Sequence, residues 1–322
     1  MRSRMKKKVQ TNNMRVIFMG TPDFAVGTLE EIIRAGHEVV LVVTQPDKPK
    51  GRGKEMQFPP VKECAFAHDI EVFQPKRIRD DANVEYLKKY DADIIIVAAF
   101  GQILPKSILD MPRFGCVNVH ASLLPKYRGA APIQWAVING DAITGVTTMR
   151  MDVGLDTGDM IAKREVRVAE DETGGSLFDK LAKVGAKLCV ETMDMLEKGT
   201  ATFTPQNNEL STHTSMITKD LGNIDWKKPA VELERLIRGL NPWPSAYTHL
   251  GNKTFKIWKA KVIPENSEYQ PGCIVRADKH DLIVQTGAGQ LALLEVQLEG
   301  KKRMEADAFL RGNQVETGTF FS

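Results

Sequence analysis

The first two hundred residues alternate short apolar runs with segments of helical period. Residues 15–20 (RVIFMG) form an apolar run closed by a Gly-Thr-Pro turn, and 24–36 (FAVGTLEEIIRAG) places its apolar positions at helical spacing with Gly36 as a stop. That pair predicts strand, turn and helix. The pattern continues with a strand at 38–43, a long polar loop, a helix opened by Pro59 and Pro60, a strand at 70–73, a helix at 81–91, and 93–100 (DIIIVAAF), the most apolar strand of the chain. A strand at 115–119, a helix at 130–141, a strand at 144–151, a Gly/Asp-rich loop, a strand at 160–168 and a long helix at 176–199 complete the series. Strands written as continuous apolar runs, with helices between them, predict a mostly parallel sheet covered on both faces.

The pattern changes at 204–218 (TPQNNELSTHTSMIT), which is polar and has neither helical nor alternating period. Beyond it come a helix at 229–240 and short strands at 246–250, 254–262, 273–277, 281–286 and 291–297, separated by Gly, Pro or Asp. Short strands punctuated by turns suggest a small closed or half-closed barrel. The expected architecture is therefore α/β: an extension at 1–13, expected to be disordered, a Rossmann-like domain at 14–203, a linker at 204–218 and a smaller OB-like β-barrel domain at 219–322. The first turn, GTPDF, lacks the G-x-G-x-x-G spacing that admits a dinucleotide pyrophosphate.

Composition adds further constraints. With 322 residues and 42% hydrophobic content, the chain can bury two cores. Its formal charge is +3, but Arg2, Arg4, Lys6, Lys7 and Lys8 supply five positive charges, leaving −2 for the rest. Global charge thus excludes nothing about nucleic acid, and any such claim rests on local patches. The basic N-terminal stretch has no apolar core, so it is not a secretory signal; a start reading past an internal initiator at Met14, or a disordered tail, is the simpler expectation than an RNA-binding arm. No run is long and apolar enough for a membrane span. Cys64, Cys116, Cys189 and Cys273 are scattered without a CxxC pair, which suits a reducing cytoplasm and argues against a zinc site.

Against this background, 115–132 (GCVNVHASLLPKYRGAAP) stands out. Residues two apart on a strand project from one face, so Asn118 and His120 both face the ligand-binding carboxyl edge of the sheet. An Asn amide can hold a developing oxyanion, and a His can move a proton near neutral pH. An isolated pair of this kind also serves simply to satisfy a strand end. The loop 151–161 (MDVGLDTGDMI) changes the balance: Gly154 and Gly158 let the backbone turn around Asp156, whose carboxylate could orient a histidine or relay a proton, although a solvated turn has the same composition. The loops 122–125 and 100–105 are apolar and follow strands, so they could wall a flat ring or fold onto the core. In 45–55 (QPDKPKGRGKE), Lys48, Lys50, Arg52 and Lys54 face only Asp47 and Glu55; the stretch could clamp phosphates or be a solvated loop.

Taken together, N-V-H-A-S-L-L-P-K-Y-R-G-A-A-P at 118–132 and M-D-V-G-L-D-T-G-D-M at 151–160 resemble the formyltransferases that use 10-formyltetrahydrofolate. Within that superfamily, G-T-P-D-F-A at 20–25, T-Q-P-D-K-P-K-G-R-G-K at 44–54, F-G-Q-I-L-P at 100–105 and N-P-W-P-S-A-Y-T at 241–248 are most similar to the branch whose acceptor is initiator methionyl-tRNA. The likeness runs from about Met14 to the C-terminus. It implies a catalytic trio of Asn118, His120 and Asp156. It implies a folate site lined by Ser122, Leu123, Leu124 and Pro125 and by Phe100, Gly101, Gln102, Ile103 and Leu104. It further implies that the loop carrying Arg52, with Lys48, Lys50 and Lys54 beside it, enters the tRNA acceptor arm, that the C-terminal barrel grips the same arm, and that a cytoplasmic monomer needs no metal. The segment 219–226 (KDLGNIDW) departs mildly from the family pattern, and 1–13 has no counterpart. A sugar-nucleotide formyltransferase would keep the trio without needing the 44–54 loop. A deformylase would pass the formyl group to water, and a non-catalytic RNA-binding protein could dispense with the trio.

Overall fold

The computed structural model describes residues 13–50 and 55–322. Residues 1–12 of the extension and the candidate tRNA contacts Arg52 and Lys54 lie outside the described residues. In chain order, the first elements are β1 (Arg15–Gly20), α1 (Asp23–Arg34), β2 (Glu38–Val43), β3 (Lys48–Lys50), β4 (Glu55–Gln57), α2 (Pro60–Ala67), β5 (Val72–Phe73), α3 (Asp81–Lys88), β6 (Ile94–Ala98), α4 (Lys106–Leu109) and β7 (Cys116–His120). There follow β8 (Arg128–Gly129), α5 (Pro132–Ile138), β9 (Ile143–Arg150), β10 (Met160–Arg167) and α6 (Gly174–Glu197). The remainder comprises β11 (His213–Thr214), α7 (Ala230–Gly239), β12 (Ala246–Leu250), β13 (Lys253–Ile263), β14 (Ile274–Ala277), β15 (Leu282–Gln285), β16 (Gln290–Leu298), β17 (Met304–Glu305) and α8 (Ala306–Gly312).

Two compact units form, one from 1–125, 145–164 and 181–210, the other from 126–144, 165–180 and 211–322. The first is built on a seven-stranded sheet of order β10-β9-β7-β6-β1-β2-β5. From β5 to β7 the pairs are parallel, and Ile17, Met19, Ile95 and Val97 are buried with Leu41 and Val43 in one core. Continuous apolar strands are the expected signature of a sheet buried on both faces. Helix α1 buries Phe24, Ala25, Thr28, Leu29 and Ile32, a stripe at helical spacing. Strand β9 departs from the parallel pattern: it runs antiparallel to β7, opposing Thr147 to His120 and Met149 to Asn118. Apolar content alone does not distinguish the direction of a buried strand, so this reversal has no sequence signal.

The second unit is organised by the antiparallel order β12-β13-β16-β15-β14, with β17 on β16. The C-terminal tail closes it. Phe321 bridges Leu250 at the end of β12, and Phe320 bridges Cys273 beside β14, so adjacent tail residues join the two sheet edges into a barrel. Closure satisfies edge groups that would otherwise be left open. Inside, Phe321 stacks on Trp226 and tilts against Phe255, which meets Phe309 of α8 edge-on. Ala230, Leu233 and Ile237 of α7 enter the same core. The expected barrel strands are all present; α8 has only seven residues, too few to announce itself by periodicity. The segment expected to act as a linker contains β11, which pairs in parallel with β8, and Thr204, which bridges Met160.

Candidate active site

Strand β7 builds one wall of the candidate site. Its odd residues Val117 and Val119 are buried, and Val119 packs toward α6 where Gly185 leaves room: a Cβ there would come within 3.0 Å of Val119 Cγ1. Strand alternation sends Cys116, Asn118 and His120 to the opposite face. The Cys116 thiol is pushed up to about 12 by burial, so it stays protonated and inert beside the polar pair. Val97 of parallel β6 flanks Asn118 on one side and antiparallel β9 on the other.

The Gly/Asp-rich loop between β9 and β10 delivers the third group. Asn118 Nδ2 lies 3.4 Å from Asp156 Oδ1, and His120 Nδ1 lies 3.7 Å from Asp156 Oδ2. Both His120 and Asp156 are largely shielded, with side-chain exposures of 7% and 12%. Asp156 has φ +54°, a left-handed conformation that a residue with a Cβ adopts at a cost. A second carboxylate organises the loop: Asp152 Oδ1 accepts from the Gly154 backbone N–H at 3.0 Å and from Thr157 Oγ1 at 2.6 Å. Gly158 is required by close approach, since a Cβ would lie 1.8 Å from the Arg150 carbonyl. The two aspartates thus differ in what they face. Asp152 caps its own turn and Asp156 turns to β7.

The turn at 122–125 is pinned from below. Thr147 Oγ1 donates to the Ser122 carbonyl at 2.7 Å and accepts from the Leu124 N–H at 3.1 Å. Lys163 Nζ donates to the Leu124 carbonyl at 2.5 Å, and burial draws its ammonium below the usual lysine range. Leu124 packs with Met149 and Met160, so both its side chain and its backbone are committed internally. Leu123 and Pro125 are half-buried, and Ser122 is buried.

The loop at 100–104 shows the same division. Phe100 and Leu104 belong to the core, and the Phe100 carbonyl accepts from Thr21 Oγ1 and Gln45 Nε2. Gln102 is turned inward, accepting from the Ile78 N–H at 2.8 Å and donating to the Pro75 carbonyl. Gly101 and Ile103 remain at the surface, the latter 75% exposed.

Lys48 is exposed on β3, whose hairpin with β4 begins next to a part-buried network around Lys62. Lys62 Nζ donates to both Asp47 oxygens at 2.9 and 2.7 Å and to Gln74 Oε1 at 2.8 Å, and sits 3.9 Å from the Phe58 ring centre. Gln74 also donates to the Gln45 carbonyl and to Asp47. The motifs did not reveal Thr147, Lys163, Lys62 or Gln74. Each lies far along the chain from the group it holds, and no local motif marks it.

The barrel carries its own basic face. Register shifts around Lys259 in β13 change which residues point outward. Lys259 and Lys261 are exposed beyond the shift, and Lys256 before it lies 5.5 Å from the Trp258 ring. Arg303 covers the same ring at 4.6 Å. Among the described residues no group of three or more His, Cys, Asp or Glu could hold a metal ion, and no helix is long and apolar enough to cross a membrane.

Residues 14–193 match the family model described as formyl transferase, and 216–314 match the formyl transferase C-terminal domain. A methionyl-tRNA formyltransferase from Agathobacter rectalis is 75% identical over 309 residues, covering 96% of this chain and all of the relative. Another, from Lachnospira eligens, is 59% identical and covers 95% of this chain and 98% of its own. The crystal structure of an N-formyltransferase from Helicobacter canadensis, in complex with folinic acid and dTDP-3-aminofucose, superposes with a TM-score of 0.64 at 19% identity, covering 87% of this chain and 98% of that one. The last likeness is one of fold. Identity sustained across both domains is a stronger relation, and by it the chain belongs to the methionyl-tRNA formyltransferases.

Proposed function

We propose that this protein transfers the formyl group of 10-formyltetrahydrofolate to the α-amino group of methionine on initiator methionyl-tRNA, for translation initiation, with Asn118, His120 and Asp156 carrying the chemistry. The observation that supports the trio most directly is the convergence of two strand residues and one loop carboxylate, 36 positions away from the nearer of them, within 3.7 Å. The folate co-substrate brings the formyl carbon. The protein's part is to hold the two reactants together and to stabilise the charge that forms between them.

Attack of the amine converts the formyl carbonyl into a tetrahedral oxyanion. The Asn118 amide has two N–H groups; one points to Asp156, and in this reading the second donates to the oxyanion. His120 turns Nδ1 toward Asp156, and in this reading Nε2, on the other side of the ring, serves the reacting centre. A carboxylate beside Nδ1 orients the ring and favours the tautomer that donates from that nitrogen, and it offers a relay for the proton that leaves the amine and reaches the departing nitrogen. Such donors in a shielded site each contribute roughly 3 kcal/mol.

Two loops support a folate subsite of limited polarity. The exposed Ile103 and the Gly101 backbone offer an apolar and a hydrogen-bonding surface, while Thr147, Lys163, Thr21 and Gln45 hold the backbone behind them. The basic 44–54 loop, through Arg52 with Lys48, Lys50 and Lys54, and the Lys256, Lys259 and Lys261 face of the barrel suit the phosphates of the acceptor arm. Free thiols at Cys64, Cys116, Cys189 and Cys273 suit a cytoplasmic setting. A formyl-transfer assay offering methionyl-tRNA, an amino-sugar nucleotide and water as alternative acceptors tests the reading. Transfer confined to methionyl-tRNA is expected, and transfer confined to either alternative would sink it.

A further inference from the structure

The Asp156 loop is held by a residue fifty positions away that neither the trio nor the folate loops include. Gln206 Nε2 donates to the carbonyl of Asp156 at 2.8 Å and to the carbonyl of Gly158 at 2.7 Å. Both partners are acceptors, so the amide nitrogen, with its two N–H groups, must face the loop. The same nitrogen lies 3.9 Å from the sulfur of Met149, which sits opposite Asn118 in the β7–β9 ladder. Two residues earlier, Thr204 exchanges backbone hydrogen bonds with Met160, each 2.9 Å, immediately after the loop. The clamp is therefore carried by a backbone already fixed to the start of β10.

What the clamp holds is a conformation with a natural tendency to relax. Asp156 is left-handed at φ +54°, disfavoured for a residue bearing a Cβ, and in that turn its side chain meets Asn118 and His120. Bridging the carbonyls of Asp156 and Gly158 ties the residue and its second successor to one rigid point. We infer that Gln206 is a positioning residue for the reaction, holding the Asp156 loop in the turn that aims its carboxylate at Asn118 and His120. The inference rests on the role proposed above for Asp156. Gln206 acts through that group and touches no reacting atom.

The test is steady-state kinetics on the full-length protein with methionyl-tRNA and 10-formyltetrahydrofolate, comparing Gln206→Met, which keeps length and loses the donors, with Gln206→Glu, which is isosteric and sets a carboxylate against two carbonyls. Displacing a reacting group by an ångström can cost about a hundredfold, so kcat should fall by about 10- to 100-fold, further for Glu than for Met. KM for both substrates should stay within about twofold. In an Asp156→Asn background, Gln206→Met should add less than about a twofold further loss, because groups acting as one unit are not additive. Amide exchange at 153–158 should quicken in Gln206→Met, giving a readout on the loop if turnover is too low to measure. Wild-type kcat in both Gln206 variants, losses that multiply with those of Asp156→Asn, or a rise in both KM values with kcat intact would overturn the inference. Wild-type kcat in Asp156→Asn is a distinct outcome: it removes Asp156 from the trio, and the role of Gln206 with it.

Discussion

The Asp156 carboxylate stands 3.7 Å from His120 Nδ1, on a loop whose backbone is left-handed at the aspartate itself. Its other oxygen faces Asn118, so one carboxylate addresses both polar residues of the β7 face. If the three act together on an oxyanion and its proton, Asn118→Ala, His120→Ala and Asp156→Asn should each lower kcat by about a hundredfold or more while leaving KM for tRNA nearly unchanged. Single-turnover rates check this, and normal kcat in any variant removes that residue from the trio.

Arg52 should show the opposite signature. Arg52→Ala is expected to raise KM for methionyl-tRNA about tenfold, to lower the slope of log KM against log salt by about one, and to leave folate binding intact. Kinetics at 50 and 200 mM salt decide it, and unchanged tRNA parameters would return the 44–54 loop to an ordinary solvated surface.

The Lys62–Asp47 pair, which ties the start of that loop to α2, makes a stability prediction. Lys62 is 10% exposed and Asp47 21% exposed at the side chain. Lys62→Met leaves the Asp47 charge without its cation, and the expected loss is about 2 kcal/mol, below the 3–5 typical of wholly buried pairs because Asp47 keeps some solvent. Denaturant melts read this directly.

The same pair predicts a pH dependence. Hydrogen bonds from Lys62, then Gln74, hold the Asp47 carboxyl below its usual 3.8. Above about pH 5 the group is ionised in folded and unfolded chains, so its contribution is complete. As pH falls below 3.8 the unfolded chain takes the proton first, and the contribution is lost on the way to the depressed folded value. Asp47→Asn should therefore flatten the acid limb of the stability curve, and an unchanged limb would contradict the assignment.

Barrel closure by the tail is checked by Phe321→Ala. The ring is 5% exposed and packs on Trp226 and Phe255. Its loss should cost about 3 kcal/mol, in the range for large aromatic deletions, and should loosen the pairs His249–Ser322 and Gly272–Phe321. Faster amide exchange at His249 is the expected signature, whereas wild-type exchange and stability would mean the tail is dispensable.

Legibility in the sequence followed the range of the interactions. Strands β1, β2, β6 and β7 and the barrel strands were readable because apolar runs and turns are local properties. The reversal of β9 was not, since a buried strand is apolar in either direction. At the site, Asn118 and His120 announced themselves through strand alternation, a two-residue rule, and the neighbouring glycines drew attention to Asp156. The inward turn of Gln102 and the committed backbone of Leu124 were hidden, because both depend on partners 24 and 23 or more residues away.

What the chain determined by itself was the set of longer strands and helices, the chemistry available at the sheet's carboxyl edge, and the family pattern that joins them. Those follow from periodicity and residue type, which act over a few positions. Tertiary structure alone decided that Thr147 and Lys163 fix the folate-like turn, that Lys62 and Gln74 hold Asp47 at the start of the basic loop, that Phe320 and Phe321 close the barrel, and that Gln206 grips the Asp156 loop. Each is a contact between groups distant in sequence, whose geometry exists only after the strands between them have paired.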